Sequence, residues 1–215
     1  DLTGYPLMKI SINQAHALVE RLAQDPPEPP DSGVHDLVIV GAGAAGLSAA
    51  RTAQQLGLGH VLLEGDKPAN TIENFHKGKI LFAEPENEPV HGPLWFEEST
   101  REELLERWKK DLDGAGLNLH TGVMVDDVRR DAHGVFTVRG RNGHTFRGMR
   151  VILALGKQGE PRKLGVPGED SDKVVYRLYD PGTYTGKDIL VVGAGDQAAE
   201  SVLALADTLG GLVGA

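Results

Sequence analysis

A chain of 215 residues, 40% hydrophobic and 25% charged, is long and apolar enough to bury a core without disulfides, and its composition excludes intrinsic disorder. Cysteine is absent, which excludes thiolate metal sites, cysteine-ligated iron–sulfur clusters and an internal dithiol relay within these residues. The formal charge of −9, from 31 acidic against 22 basic side chains, opposes a nucleic-acid interface and leaves no basic membrane face; the 28 glycines, against about 15 at average usage, must be explained by position.

The chain opens at Asp1 without an initiator Met, as expected of a processed protein or of a segment of a longer one. No apolar run reaches the roughly 20 residues of a membrane-spanning helix and no signal-peptide layout is present, so a cytoplasmic location is expected. Ser11 and Gln14 have capping-box spacing and predict a first helix with Ile12, Ala15, Leu18, Val19 and Leu22 on one face. Asp25-Pro-Pro-Glu-Pro-Pro-Asp31 forbids helix and forms a stiff connector, so residues 1–33 read as an appendage.

From Val34 the texture becomes that of a βαβ architecture. Leu37 to Val40 is a buried parallel strand, Ala44 to Leu56 a helix and His60 to Glu64 the next strand. An irregular stretch from Gly65 to Glu98 follows. Ser99 and Glu102 then predict a capped helix to about Leu112, ended by Gly114 and Gly116. Leu117 to His120 is a short strand, and Val123–Arg129, Gly134–Arg139 and His144–Gly148 form an antiparallel meander whose second turn carries an Asn142-Gly143 hairpin signal. Arg150 to Ala154 and Asp188 to Val192 are further buried strands.

Two glycine motifs carry the chemistry. Gly41-Ala-Gly43-Ala44-Ala45-Gly46 follows a strand and opens a helix. Gly41 permits the tight turn, Gly43 removes the side chain that would block a pyrophosphate, and Gly46 allows close helix–strand packing. The phosphates then meet the helix N-terminus. Glu64 ends the next strand, where it can accept hydrogen bonds from ribose hydroxyls and disfavours a 2′-phosphate. The alternative is a strand-to-helix turn with no ligand. The second motif, Gly193-Ala-Gly195-Asp-Gln-Ala198, has Ala in the third glycine position, a permitted variant; it is either a second dinucleotide site or a decayed copy of the first.

In order, Gly41 to Gly46 with Glu64, then Ile152-Leu-Ala154-Leu-Gly156 with Leu164-Gly-Val-Pro-Gly168-Glu169, then Gly193 to Ala198, this chain resembles the two-dinucleotide flavoprotein reductases, most of all the thioredoxin-reductase-like group. The resemblance covers about Val34 to Thr208. It implies FAD on the first motif, NADPH or NADH on the second, and hydride transfer from nicotinamide to flavin. It also implies that Ala154 and Gly156 lie near the cofactor where the chain leaves the FAD domain, with Leu155 in place of the family's threonine. Asn74, in Thr71-Ile-Glu-Asn74-Phe75, is similar to a residue meeting the isoalloxazine, the alternative being a loop-stabilising Asn. Val125 matches a position whose backbone meets the adenine, the alternative being a core Val. Where thioredoxin-reducing members carry Cys-x-x-Cys, Val174 to Lys187 has no thiol, so electrons must leave the flavin directly.

The implied fold class is α/β: a Rossmann-like FAD-binding domain with an antiparallel β-meander, over residues 34–157, plus the start of a second Rossmann-like NAD(P)-binding domain at 158–215. That second domain looks incomplete, and the chain looks short for this fold. The implied activity is that of an NAD(P)H-dependent flavoprotein oxidoreductase; the alternative is a non-catalytic dinucleotide sensor or assembly subunit on the same scaffold. Expected partners are a small-molecule or protein electron acceptor, ferredoxin-like among the options, and a second copy of the chain as a homodimer. The eight histidines have no metal-ligand spacing, so neither a metal nor a catalytic side chain is expected. His91-Gly-Pro-Leu-Trp95 matches the end of a flavin monooxygenase fingerprint only by coincidence, since the upstream Phe and Gly are missing. Tyr176, Tyr179 and Tyr184 either cover a flavin or pack between domains.

Overall fold

Helix α1 (Met8–Ala23) crosses helix α2 (Ala44–Gln55) and buries Ile12, Ala15 and Val19. In this computed structural model, which describes residues 7–156 and 163–209, the segment expected to be an appendage is therefore part of the main core. Its helix also begins earlier than Ser11: Leu7 is the N-cap, with no side-chain cap bond, so the Ser11–Gln14 capping box does not form. Leu18, expected on the inner face, is exposed, because the buried face of the helix runs through Lys9, Ile12, Asn13, Ala15 and Val19. The proline connector then runs to β1, held by the Arg150 guanidinium, which donates to the carbonyls of Leu22 (2.8 Å) and Asp25 (2.5 Å).

The main sheet has six strands. They are β1 (Val34–Val40), β2 (His60–Leu63), β5 (Leu119–His120), β6 (Val125–Arg130), β7 (Phe136–Gly140) and β8 (Thr145–Leu153), in the order β5-β2-β1-β8-β7-β6. The β5-β2-β1-β8 half is parallel, while β7 pairs antiparallel with β8 and β6 with β7. The third meander strand and the returning strand at Arg150–Ala154 are not separate, as the sequence predicts, but one nine-residue strand. Its first half pairs with β7 and most of its length with β1.

Alternation along β1 and β2 sorts the core into two clusters, as side chains two apart share a face. Leu37, Ile39, Leu62 and Ile152 face α1, α2 and Leu104 and Trp108 of helix α4 (Arg101–Ala115). Val38, Val40, Val61 and Leu63 face Val123, Val138 and Phe146 on the other side. The stretch expected to be irregular holds short helix α3 (Asn70–Glu73) and strand β3 (Ile80–Leu81), which pairs with β4 (Ser99–Thr100). Helix α4 starts two residues after Ser99: its capping box joins Thr100 and Glu103, one residue beyond the predicted pair, and Gly116, with φ +60°, ends it.

Beyond residue 162, a 3-10 turn (Pro181–Tyr184) and helix α5 (Asp196–Leu209) flank the second glycine motif. Residues 188–192, expected to be a buried strand, form none. Among the described residues no strand lies beside them to pair with, and Leu190 and Val192 are 87% and 66% exposed. The expected division between residues 157 and 158 falls outside the described residues.

Candidate dinucleotide site at the first glycine turn

Strand order reverses about β1: the chain goes from β1 through α2 to β2 on one side and returns in β8 on the other. Ligand crevices of open α/β sheets lie at the carboxyl ends of the strands at such a switch point, and Gly41 to Gly46 occupies that end of β1. Gly41 has φ +100°, and a Cβ on it would stand 2.4 Å from the Ala154 carbonyl oxygen. A Cβ on Gly46 would stand 1.7 Å from the Gly41 carbonyl oxygen. The two glycines and Ala154 thus close a three-way backbone contact that no side chain can enter. Gly43 is the opposite case, since a Cβ there would meet nothing within 4 Å. It is the N-cap of α2, with extended backbone and no side-chain cap bond, so the first-turn N–H groups beyond it, at half-buried Ala44 and Ala45, are not capped by the protein.

Backbone hydrogen bonds hold this turn from three sides. The Gly41 N–H donates to Leu63 O (2.7 Å), the Ala154 N–H to Val40 O (2.8 Å) and the Ala69 N–H to Ala42 O (2.8 Å). Ala69 is a left-handed non-glycine residue, φ +57°, and buried; such a conformation costs of order 1 kcal/mol and survives where the surroundings fix it. The Glu64 carboxylate lies beneath the turn, accepting from the N–H of Ala42 (2.7 Å) and of Asp66 (2.9 Å). A carboxylate offers about four acceptor sites, so both oxygens retain capacity.

The remaining candidates occupy different places. Asn74 caps the end of α3 and its amide donates to the Asn70 side chain at 3.3 Å, so a local stabilising bond is present. The half-buried Val125 packs on the Val38/Val40 cluster, next to Val123, whose N–H donates to Glu64 O (2.8 Å). Gly156, φ +66°, is exposed just past Ala154. Gly193, φ +137°, lies 3.5 Å from Ala198 when given a Cβ, and Gly195 has open space around it. This second turn resembles the first in having a positive-φ glycine, an open glycine and a following helix, but Gly193 is not sealed by backbone as Gly41 is, and no strand precedes it among the described residues.

Sequence reasoning overlooks two residues here. Arg101 donates to the carbonyls of Ile72 (3.2 Å) and Glu73 (2.7 Å), clamping α3 and hence Asn74; a contact across 28 residues leaves no local signal. Met124, half-exposed, crowds Gly65, where a Cβ would stand 2.8 Å from its methyl carbon. Tyr176 bonds the Glu169 carboxylate (2.8 Å), and Tyr184 lies beneath the Lys187 ammonium.

The chain is 27% identical over 186 residues to a ferredoxin–NADP reductase of Ignicoccus hospitalis, covering 81% of this chain and 54% of that protein. It is 32% identical over 177 residues to a thioredoxin reductase of Treponema pallidum, covering 80% and 52% respectively. The chain spans about half the length of the curated relatives it matches. Among solved structures, a bacillithiol disulfide reductase from Bacillus cereus superimposes with a TM-score of 0.69 at 23% identity, over 81% of this chain and 56% of that one. An NADP-bound steroid monooxygenase gives 0.66 at 21%, over 81% and 37%. At these identities the structural likeness is one of fold, and it agrees with the expected α/β Rossmann-like class. Residues 38–213 match the pyridine nucleotide-disulphide oxidoreductases, from the first glycine turn through the second, and the chain belongs to that family.

Proposed function

We propose that this chain is the dinucleotide-binding part of an NAD(P)H-dependent FAD oxidoreductase that delivers electrons to an acceptor without an internal dithiol. The observation that carries this reading is the contrast within one turn: Gly41 and Gly46 are sealed by backbone while Gly43 opens on free space at a helix N-terminus. A pyrophosphate needs that combination, a close approach and unsatisfied N–H donors. Gly41, Gly43, Ala44, Ala45 and Gly46 would hold the phosphates of FAD. Glu64, already fixed by Ala42 and Asp66, would accept from the adenosine ribose, the Val125 backbone would meet the adenine, and Asn74, Ala154 and Gly156 would border the flavin ring. Gly193, Gly195 and Ala198 would receive NADPH or NADH. The bound flavin supplies hydride acceptance and onward electron transfer. The protein's own groups bind and orient, and no side chain of this chain is assigned a proton-transfer step.

The sequence relation to ferredoxin–NADP reductases supports a ferredoxin-like or small-molecule acceptor, and the absence of cysteine supports direct transfer from the flavin. Among the described residues no helix is long and apolar enough to cross a membrane; a cytoplasmic location and a homodimer complete the proposal. Purified protein reconstituted with excess FAD and freed of unbound cofactor is expected to be yellow; a colourless product defeats the proposal.

A second reading is favoured by one observation, the exposed and unpaired segment before Gly193. It is a flavin-binding sensor or assembly subunit without turnover. Stopped-flow mixing of the FAD-loaded chain with NADPH and with NADH separates the two, since the oxidoreductase bleaches the flavin and the sensor does not.

A further inference from the structure

The backbone on either side of Met124 is pinned while its side chain is half-exposed. The Val123 N–H donates to Glu64 O (2.8 Å), and Met124 O accepts from the Arg141 N–H (2.9 Å). Val123 and Val125 both turn into the Val38/Val40 cluster. Met124, between them, does not: its thioether lies over Gly65, where an added Cβ would stand 2.8 Å from the methyl carbon and 3.3 Å from the sulfur. Gly65 is not one of the positive-φ glycines, so its backbone conformation is open to any residue. What the missing side chain provides at that position is room for Met124.

Gly65 follows directly on Glu64, whose carboxylate is fixed by the N–H groups of Ala42 (2.7 Å) and Asp66 (2.9 Å). One thioether therefore bridges the end of β2, where Glu64 would accept from the adenosine ribose, and the start of β6, where the Val125 backbone would meet the adenine. A base attached to that ribose and reaching that backbone comes to lie beside Met124. The side chain suits a flat base. It is unbranched and polarizable, and methionine sulfur packs favourably against aromatic rings. Because the backbone of residues 123 and 124 is already held, only the rotamers of one side chain are left to be fixed when the base arrives.

We propose that Met124 is a base-binding residue of the dinucleotide site, its thioether lying against one face of the adenine while Glu64 holds the ribose. This rests on the reading of the first glycine turn as the FAD site and adds a contact that the glycine motif does not contain.

The test uses the whole 215-residue chain labelled at its methionine methyl groups, which gives three signals, from Met8, Met124 and Met149; the Met124 signal is the one lost in Met124→Leu. The chain is titrated with ADP and, separately, with inorganic pyrophosphate, while the Gly43 amide is followed in the same NMR series. ADP is expected to move the Gly43 amide and the Met124 methyl saturably with one dissociation constant, the methyl upfield as for a group above an aromatic ring, and to leave Met8 and Met149 unmoved. Pyrophosphate should move the Gly43 amide alone. Met124→Ala should weaken ADP about fivefold, within the range of a sulfur–aromatic contact, with pyrophosphate affinity unchanged, and Met124→Leu, which keeps the apolar bulk, should retain most of the ADP affinity. ADP that moves the Gly43 amide but not the Met124 methyl, or a Met124→Ala chain that binds ADP as tightly as the native one, overturns the contact and leaves the dinucleotide reading standing. Equal losses of ADP and pyrophosphate in Met124→Ala also overturn it, since Met124 would then support the turn and not the base. ADP that moves neither signal removes the dinucleotide reading and this contact with it. Should Met124→Ala fail to fold, the native methyl decides alone.

Discussion

Gly43 and Gly46 lie three positions apart on one turn, yet only one of them has room for a methyl group. At Gly46 the added carbon would stand 1.7 Å from the Gly41 carbonyl oxygen, so Gly46→Ala must push α2 away from β1. Overpacking of this kind costs about 3 kcal/mol at the upper end of its usual range, and urea denaturation should show that loss. At Gly43 the added carbon meets nothing and the backbone is extended with negative φ, so Gly43→Ala should fold and lose only about 1 kcal/mol, the usual cost of placing Ala at a helix N-cap. The same methyl would occupy the proposed phosphate position. Flavin fluorescence titration is expected to show at least a tenfold loss of FAD affinity for Gly43→Ala, whereas a native-like affinity would remove the pyrophosphate from this turn. The pair separates a structural glycine from a binding one, which the shared motif by itself does not.

Helix α1 offers the corresponding test for an element. Ile12 and Val19 are fully buried against α2, and the Ser48 hydroxyl donates to Ile12 O at 2.8 Å, so Ile12→Ala should cost about 2–5 kcal/mol, the range for a truncated core Ile. A change below about 1 kcal/mol in chemical denaturation would return α1 to the status of an appendage. The loop around Glu169 makes a pH prediction. Its carboxylate accepts from the N–H groups of Leu164 and Gly165, both 2.6 Å, and from the Tyr176 hydroxyl. The Leu164 bond is the chief cause holding its pKa below the ordinary carboxylate value, against its own desolvation. With the folded pKa depressed, the loop's stabilisation is complete above the unfolded value of about 4.3 and is lost as pH falls through the lower folded one. The Leu164 and Gly165 amide shifts should titrate with a midpoint below about 4.3 and be flat in Glu169→Gln. Elements such as β1, α2 and the meander were legible in the sequence because period-2 or period-3.6 burial and an Asn-Gly turn are local signals. The strand–glycine turn–helix run at Gly41 to Gly46 was legible because its motif is local, whereas the Ala154 carbonyl that seals it lies far along the chain. What was not legible depends on partners far along the chain: the burial of α1, the Arg101 clamp on α3, the fusion of two predicted strands into β8, and the failure of residues 188–192 to form a strand. That last segment has the right apolar composition, but a strand exists only where another offers its hydrogen bonds.

Across the whole molecule, polar contacts join the sheet-bearing region to the second glycine region. Lys77 pairs with Asp180 at 2.5 Å, its N–H donates to Tyr179 O at 3.2 Å, and Lys79 pairs with Glu200 while its ammonium stands 4.7 Å from the centre of the Phe75 ring. Lys79 and Glu200 link the loop just before β3 to α5, so two ion pairs and the Lys77–Tyr179 backbone bond tie the second glycine region to the first. Exposed pairs contribute about 0.2–1 kcal/mol each, and the Debye length contracts from about 10 Å at 0.1 M salt to about 3 Å at 1 M. The junction should therefore loosen as salt is raised, while the Leu37/Ile39 core, which is apolar, should not. Limited proteolysis between residues 163 and 187 is expected to quicken about fivefold between low and 1 M sodium chloride, the equivalent of losing about 1 kcal/mol in all. The Asp180→Asn, Glu200→Gln double variant should be cut at the fast rate at every salt concentration, with its urea midpoint unchanged. This variant also controls for any effect of salt on the protease, because an effect on the enzyme alone would appear equally in both proteins. Equal salt dependence in the two would mean that the lysine pairs do not set the junction, and that packing about Tyr179 and Pro181 holds it instead.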